Sequence, residues 1–256
     1  MTGEEEKFVK LRKFNGFMGV LHLIQAILML IVSNDNTWPI EISYLTFDEV
    51  AETLMPVTET WMDIQLAPLV ALFLFMSSIA HFSIATFLYK KYVKNLKKGM
   101  NPYRWIEYTF SASLMIWIIA MLTGIYDLGL LVSLFILTGV MNLMGLMMEK
   151  HNQLTEKTDW TSYIIGCIAG AAPWIVIGIY FGKSIIEAGS DFPGFVIGIY
   201  FSILVFFNIF AINMVLQYKE VWKWKDYLYG ERMYIILSLV AKSALAWQIF
   251  FGTLQP

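Results

Sequence analysis

The sequence predicts an all-α membrane protein, a seven-transmembrane helix bundle with its N-terminus cytoplasmic and its C-terminus extracellular. Three observations carry that expectation. The 256 residues are 58% hydrophobic and only 15% charged, and the mean hydropathy is +0.61, well beyond an ordinary soluble domain. Seven apolar runs are each long enough to cross a bilayer, at about 14–33, 67–89, 105–126, 128–148, 161–182, 194–217 and 233–252. Charge alternates from one connection to the next.

Taken in order, the segment before the first run holds Lys7, Lys10, Arg12 and Lys13. The second-to-third connection holds Lys90, Lys91, Lys94, Lys97, Lys98 and Arg104. Lys150 and Lys157 lie in the fourth-to-fifth, and Lys219, Lys223, Lys225 and Arg232 in the sixth-to-seventh. Sixteen of the 18 basic residues therefore fall on one side, which the positive-inside rule makes the cytoplasm. Lys183 is on the other side, and Lys242 is inside the membrane. The chain reads as a multi-pass protein of the cell membrane, residues 1–256 forming one membrane domain without repeats.

The long outer connection, 34–63, carries seven acids (Asp35, Glu41, Asp48, Glu49, Glu52, Glu59, Asp63) and no base. Glu41–Phe47, EISYLTF, is rich in β-formers; a short hairpin lid and a solvated acidic loop are equal alternatives. On the inner side Trp222, Trp224, Tyr227 and Tyr229 mix with lysines, as suits a headgroup layer. Gly166/Gly170 and Gly194/Gly198 are small-residue pairs one turn apart, serving close packing within the bundle or between protomers. Cys167, the only cysteine, excludes an intramolecular disulfide and reads as a packing residue. The first run ends in Val-Ser-Asn-Asp, which argues against a cleaved signal peptide. A net charge of −2 gives no reason to expect nucleic acid, and no enzymatic activity is expected.

The stretch Met233–Leu254 contains a single charge, Lys242, near its middle. A lysine at that depth costs roughly 2.5–3.5 kcal/mol on insertion scales. It lines a wet cavity, pairs with a buried acid, or serves as an amine held out of water that condenses with an aldehyde to a Schiff base. A buried cation of that kind needs a counter-charge within a few ångströms. Glu107, in Arg104-Trp105-Ile106-Glu107-Tyr108, is the best candidate by depth, with Ser111 on its face; an ordinary first-turn glutamate is the alternative. Asp127 and Glu149 read as interface residues. By count Glu107 lies about 12 Å to the cytoplasmic side of mid-span, about twice the reach of a lysine arm, so tilt or a shifted boundary must supply the rest. Ser238, one turn before Lys242, is placed to bridge. His22 and His81, the latter one turn from Ser77, are either hydrogen-bonded packing residues or places to hold a proton. Towards the outer side no titratable group follows, Ile118 and Trp247–Phe250 being typical, so transport across the whole membrane is not expected.

These residues resemble a microbial-type retinal protein, with Arg104–Tyr108 similar to the third-helix counterion motif and Lys242 to the attachment lysine. Ser238 stands where a second counterion aspartate would be, and the sixth span has no tryptophan. With the inverted charge pattern and the runs Ser238–Gln248 (SLVAKSALAWQ), Leu21–Gln25 (LHLIQ) and Gly166–Trp174 (GCIAGAAPW), the chain resembles the heliorhodopsins over its whole length. The resemblance implies that Lys242 holds all-trans retinal, with Glu107 as counterion and Tyr108 beside it. Ser77, Ser111 and Ser238 would complete the hydrogen-bond network, although Ala112 interrupts what is often a serine run. His22 and His81 would line an inner polar cavity. Met115, Pro173, Trp174, Phe206, Asn208, Trp247 and Gln248 would be pocket positions. It further implies a homodimer and a slow photocycle.

The expected function is a light-sensing photoreceptor that signals to an unknown cytoplasmic partner. The alternatives are a light-driven proton transporter, a retinal-free carrier gated by Lys242, and a membrane regulator of a soluble enzyme.

Overall fold

The structure, a computed structural model, describes residues 3–256. Among the described residues, seven helices are long and apolar enough to cross a membrane. In chain order they are α1 (Gly3–Val32), α2 (Leu66–Ala85), α4 (Pro102–Leu122), α5 (Leu128–His151), α6 (Thr161–Ala188), α7 (Gly194–Tyr218) and α8 (Tyr227–Ile249), with the short α3 (Tyr89–Leu96) between α2 and α4. Neighbours pack in the order α1, α2, α4, α5, α6, and α7 packs on α8, which returns to α1. Between α6 and α7 the bridge is aromatic. Phe181 stacks on Tyr200 with ring centroids 4.4 Å apart, and Trp174 meets Phe207 edge-on at 5.5 Å.

Helix boundaries differ from hydropathy where caps decide them. Asn101 caps α4, its side chain accepting from the Arg104 N–H, and Pro102 takes the first helical position. The helix therefore begins three residues before the apolar run. Asp226 accepts from Leu228 N at 3.0 Å and starts α8 six residues early. Asp127, expected as an interface residue, caps α5 by accepting from Leu130 N at 2.8 Å. The second run ends at Ala85, where the chain breaks and restarts as α3, whose Tyr92 and Leu96 turn inward.

The acidic connection is a hairpin longer than expected. β1 (Thr37–Asp48) pairs antiparallel with β2 (Thr53–Gln65), with a register shift between Ile40 and Glu41. An isolated hairpin is marginal in water; this one is anchored at its base. Ile40 is fully buried, and Glu41 N donates to Tyr126 O at 2.9 Å. Beyond the base it is exposed, Leu45, Phe47 and Val50 included. Beside it Asn34 ties α1 to the chain end: its N–H donates to Leu254 O at 2.9 Å and its amide to Thr253 O at 3.0 Å.

Gly166 and Gly170 pack inside the bundle, against Met144 and Met141 of α5. A Cβ on Gly194 or Gly198 would meet nothing within 4 Å. Gly145 lies under the Trp105 indole, where a Cβ would overlap the ring. Gly145→Ala is expected to displace Trp105 and cost about 1–3 kcal/mol, the usual scale of overpacking, read as a lower midpoint in a thermal melt.

Candidate functional site

The site is built where α2, α4 and α8 meet. Lys242 is 3% exposed, and its arm leans back towards the N-terminus of α8, as helical side chains do. Its ammonium donates to Glu107 Oε1 at 2.7 Å, to Ser77 Oγ at 2.6 Å and to Ser238 Oγ at 3.2 Å. Ser77 in turn donates to Glu107 Oε1 at 2.7 Å. The Tyr108 ring lies 5.1 Å from the ammonium, within cation–π range. Ser111 is fully buried beside them. The depth gap expected from sequence closes because α4 starts early, making Glu107 its sixth residue, and because the lysine leans towards it.

From Lys242 a cavity of about 470 Å³ runs between α4, α5, α6 and α7, in the range of small-molecule sites. Met115, Trp174, Tyr200, Phe207 and Ala241 give it an apolar wall, with Asn208 and Ser111 as polar points. An amine with a buried carboxylate partner at one end of a long apolar cavity fits a polyene aldehyde. The cavity reaches the seam between α6 and α7, where the lining residues Cys167, Ile175 and Asn208 are exposed. Cys167 is thus a rim residue, not a packing one: α7 stands off from this face of α6 and leaves the thiol uncovered.

Four expected pocket positions are not on this wall. Each helical residue turns about 100° from the last, and for two of the four a neighbour in sequence lines the cavity instead. Pro173 is buried beside the lining Trp174, and Phe206 packs in the core while Phe207 faces the cavity. Trp247 donates to Gln25 Oε1 at 3.1 Å across to α1, and Gln248 pairs with Ser202 of α7 at 3.1 Å.

His22 and His81 stack with ring centroids 5.6 Å apart and planes within 11°. His81 Nδ1 pairs with Asn15 Oδ1 at 2.8 Å, whereas neither nitrogen of the buried His22 has a protein partner. A second, polar cavity of about 30 Å³ touches His81, Ser77, Glu107 and Ser238. His22 is not on its wall.

That small cavity also touches Arg104 and Glu231, which belong to a buried ion cluster that sequence reasoning missed. Arg104 bridges Glu149 and Glu231, all three at most 5% exposed. Asn101 donates from its N–H to Glu149 and from its amide to Glu231, both at 2.8 Å. Tyr92 donates to Glu231 at 2.9 Å and Tyr227 to Glu149 at 3.2 Å. Burial and the Glu231 carboxylate push the Tyr92 phenol well above its ordinary range, so it remains a donor. Glu149 had been expected at the interface and Arg104 in a connection. The early start of α4 and the inward turn of α3 enclose both. The usable signal was an arginine two residues after a proline, between Tyr103 and Trp105, with two glutamates at helix ends.

Comparison with known proteins agrees with this geometry. The family model described as heliorhodopsin matches residues 11–254. The crystal structure of Exiguobacterium sibiricum rhodopsin is similar, at 16% identity and a TM-score of 0.58, over 93% of this chain and 95% of that one. A search of curated proteins found no match.

Breaking a buried ion pair from one side leaves an uncompensated charge. Glu107→Gln is expected to destabilise the retinal-free protein by about 3–5 kcal/mol, and adding Lys242→Met should restore most of the loss, as measured by unfolding titration in detergent.

Proposed function

Since the chain belongs to the heliorhodopsin family, we propose that it is a light sensor in which Lys242 carries all-trans retinal and Glu107 balances the charge on Nζ. Family and fold make it a multi-pass retinal photoreceptor. The finer reading is that it signals through a slow photocycle and moves no ion across the membrane. The observation that carries it is Lys242 Nζ, 2.7 Å from Glu107, at the head of the long apolar cavity.

Retinal, when bound, supplies visible absorption and a light-driven isomerisation. The protein's own residues then control the proton on Lys242 Nζ. Glu107, Ser77 and Ser238 hold it at rest, all on the side that carries the basic connections. Once the nitrogen is displaced, the nearest route for its proton is the small polar cavity bounded by His81, with His22 stacked behind it as a second base. In the other direction α8 offers Leu245, Ala246 and Ile249, all fully buried among apolar side chains. A proton confined to one half changes local charge without crossing, which biases a two-state bundle. The asymmetry of the basic residues supports an N-terminus inside the cell and an unidentified cytoplasmic partner on that face. The open face at Gly194 and Gly198, with exposed Ile197 and Phe201 alongside, supports a homodimer.

Adding all-trans retinal to the purified protein should produce a visible band, and Lys242→Ala should stay colourless. Colour in that variant would remove Lys242 from its role. Glu107→Gln should move the band to longer wavelength while Nζ is protonated, and let Nζ lose its proton in less alkaline buffer. Illuminated cell suspensions should show no protonophore-sensitive pH change; such a change would favour the transporter. Retention of an associated soluble enzyme whose activity follows illumination would favour the regulator.

A further inference from the structure

We propose that Glu231, held in the cluster with Arg104 and Glu149, is the group on which the proton from Lys242 Nζ comes to rest; this deepens the reading above and depends on it. The small polar cavity has Glu107, Ser77 and Ser238 on one part of its wall and Arg104, Asn101 and Glu231 on another. At about 30 Å³ it has room for a bridging water, so one solvated step separates the two buried ion-pair centres. Glu149 does not reach this wall, which singles out Glu231 of the two carboxylates.

Charge counting shows where a released proton is attracted. The Lys242–Glu107 pair is neutral, whereas one guanidinium shared by two carboxylates leaves the cluster one negative charge in excess, in a place with almost no solvent. The charged and titratable groups facing Glu231 are Arg104 and Tyr108 of α4, Glu149 of α5, Tyr92 of α3, and Tyr227 and Tyr234 of α8; His81 of α2 and Tyr103 and Glu107 of α4 face the cavity. None of these adds a second cation. A proton arriving on Glu231 makes the cluster neutral and leaves Glu107 as the unpaired anion, so the light-driven displacement of Nζ must supply the energy of the transfer. The buried Arg104 Nε–H, which has no acceptor among the described residues, is a second sign that the cluster is built around an exchangeable partner. In the transfer the N–H bond at Lys242 Nζ breaks with its electron pair staying on nitrogen, and an O–H bond forms at Glu231. Nothing is oxidised or reduced. His81, on the same wall, is the intermediate carrier, and the stacked His22 is a side branch.

Time-resolved infrared spectroscopy after a flash tests this. In the retinal-loaded protein the C=O stretch of a protonated carboxylic acid should rise as Nζ deprotonates. Glu231→Gln should abolish that band, and Tyr92→Phe, which keeps the ion pairs but removes one hydrogen bond to Glu231, should shift its frequency. A band unchanged in both variants, or no band while the visible signal of deprotonation persists, overturns the assignment. Should Glu231→Gln fail to fold, Tyr92→Phe alone decides. If no coloured protein forms with retinal at all, the photoreceptor reading fails first and carries this one with it; a coloured protein lacking the carboxyl signals fails this assignment alone.

Discussion

The ion pair between Lys242 and Glu107 is the constraint around which the structure is arranged. Neither charge is tolerable alone at that depth. Each needs the other, and the pair needs hydroxyls to satisfy what the ion contact leaves over. Ser77 and Ser238 meet that need from α2 and α8, so three helices are registered against one another by a single polar point. The apolar cavity is possible only because that point is confined to one end of it. From Met115 and Trp174 onward the wall has little that would compete for the amine.

A second ionic centre sits nearer the basic connections. There Arg104 brings together α4, α5 and α8, and Tyr92 and Asn101 add α3 and the loop after it. The two centres share one small cavity but differ in net charge. In the transfer proposed above, that inequality would decide where a proton freed from Nζ is drawn. The stacked histidines lie beside this route, one of them on the cavity wall and one behind it.

Most of the fold was legible in the sequence because bilayer thickness dictates run length and charge marks every second connection. Lys242 and Glu107 were legible because charge inside an apolar run is rare. The ends of helices were not. Asn101 and Asp226 start α4 and α8 by satisfying backbone N–H groups, which hydropathy does not register. That error hid the Arg104 cluster, whose partners are 45 and 127 residues away and look like loop charges. Two pocket positions, on α6 and α7, were legible only to within one residue. Phe207 and Trp174 face inward where Phe206 and Pro173 stand beside them, since a single step along a helix turns a side chain from wall to interior.

The stitching of Asn34 to the last turn of the chain has a mechanical consequence. It fastens the far end of α8 to α1, and the base of the hairpin fastens the neighbouring rim through Tyr126. A helix clamped at one end swings from that clamp. Whatever strain develops around Lys242 is therefore levered away from the hairpin, and displacement grows towards Tyr227 and the aromatic-basic segment before it.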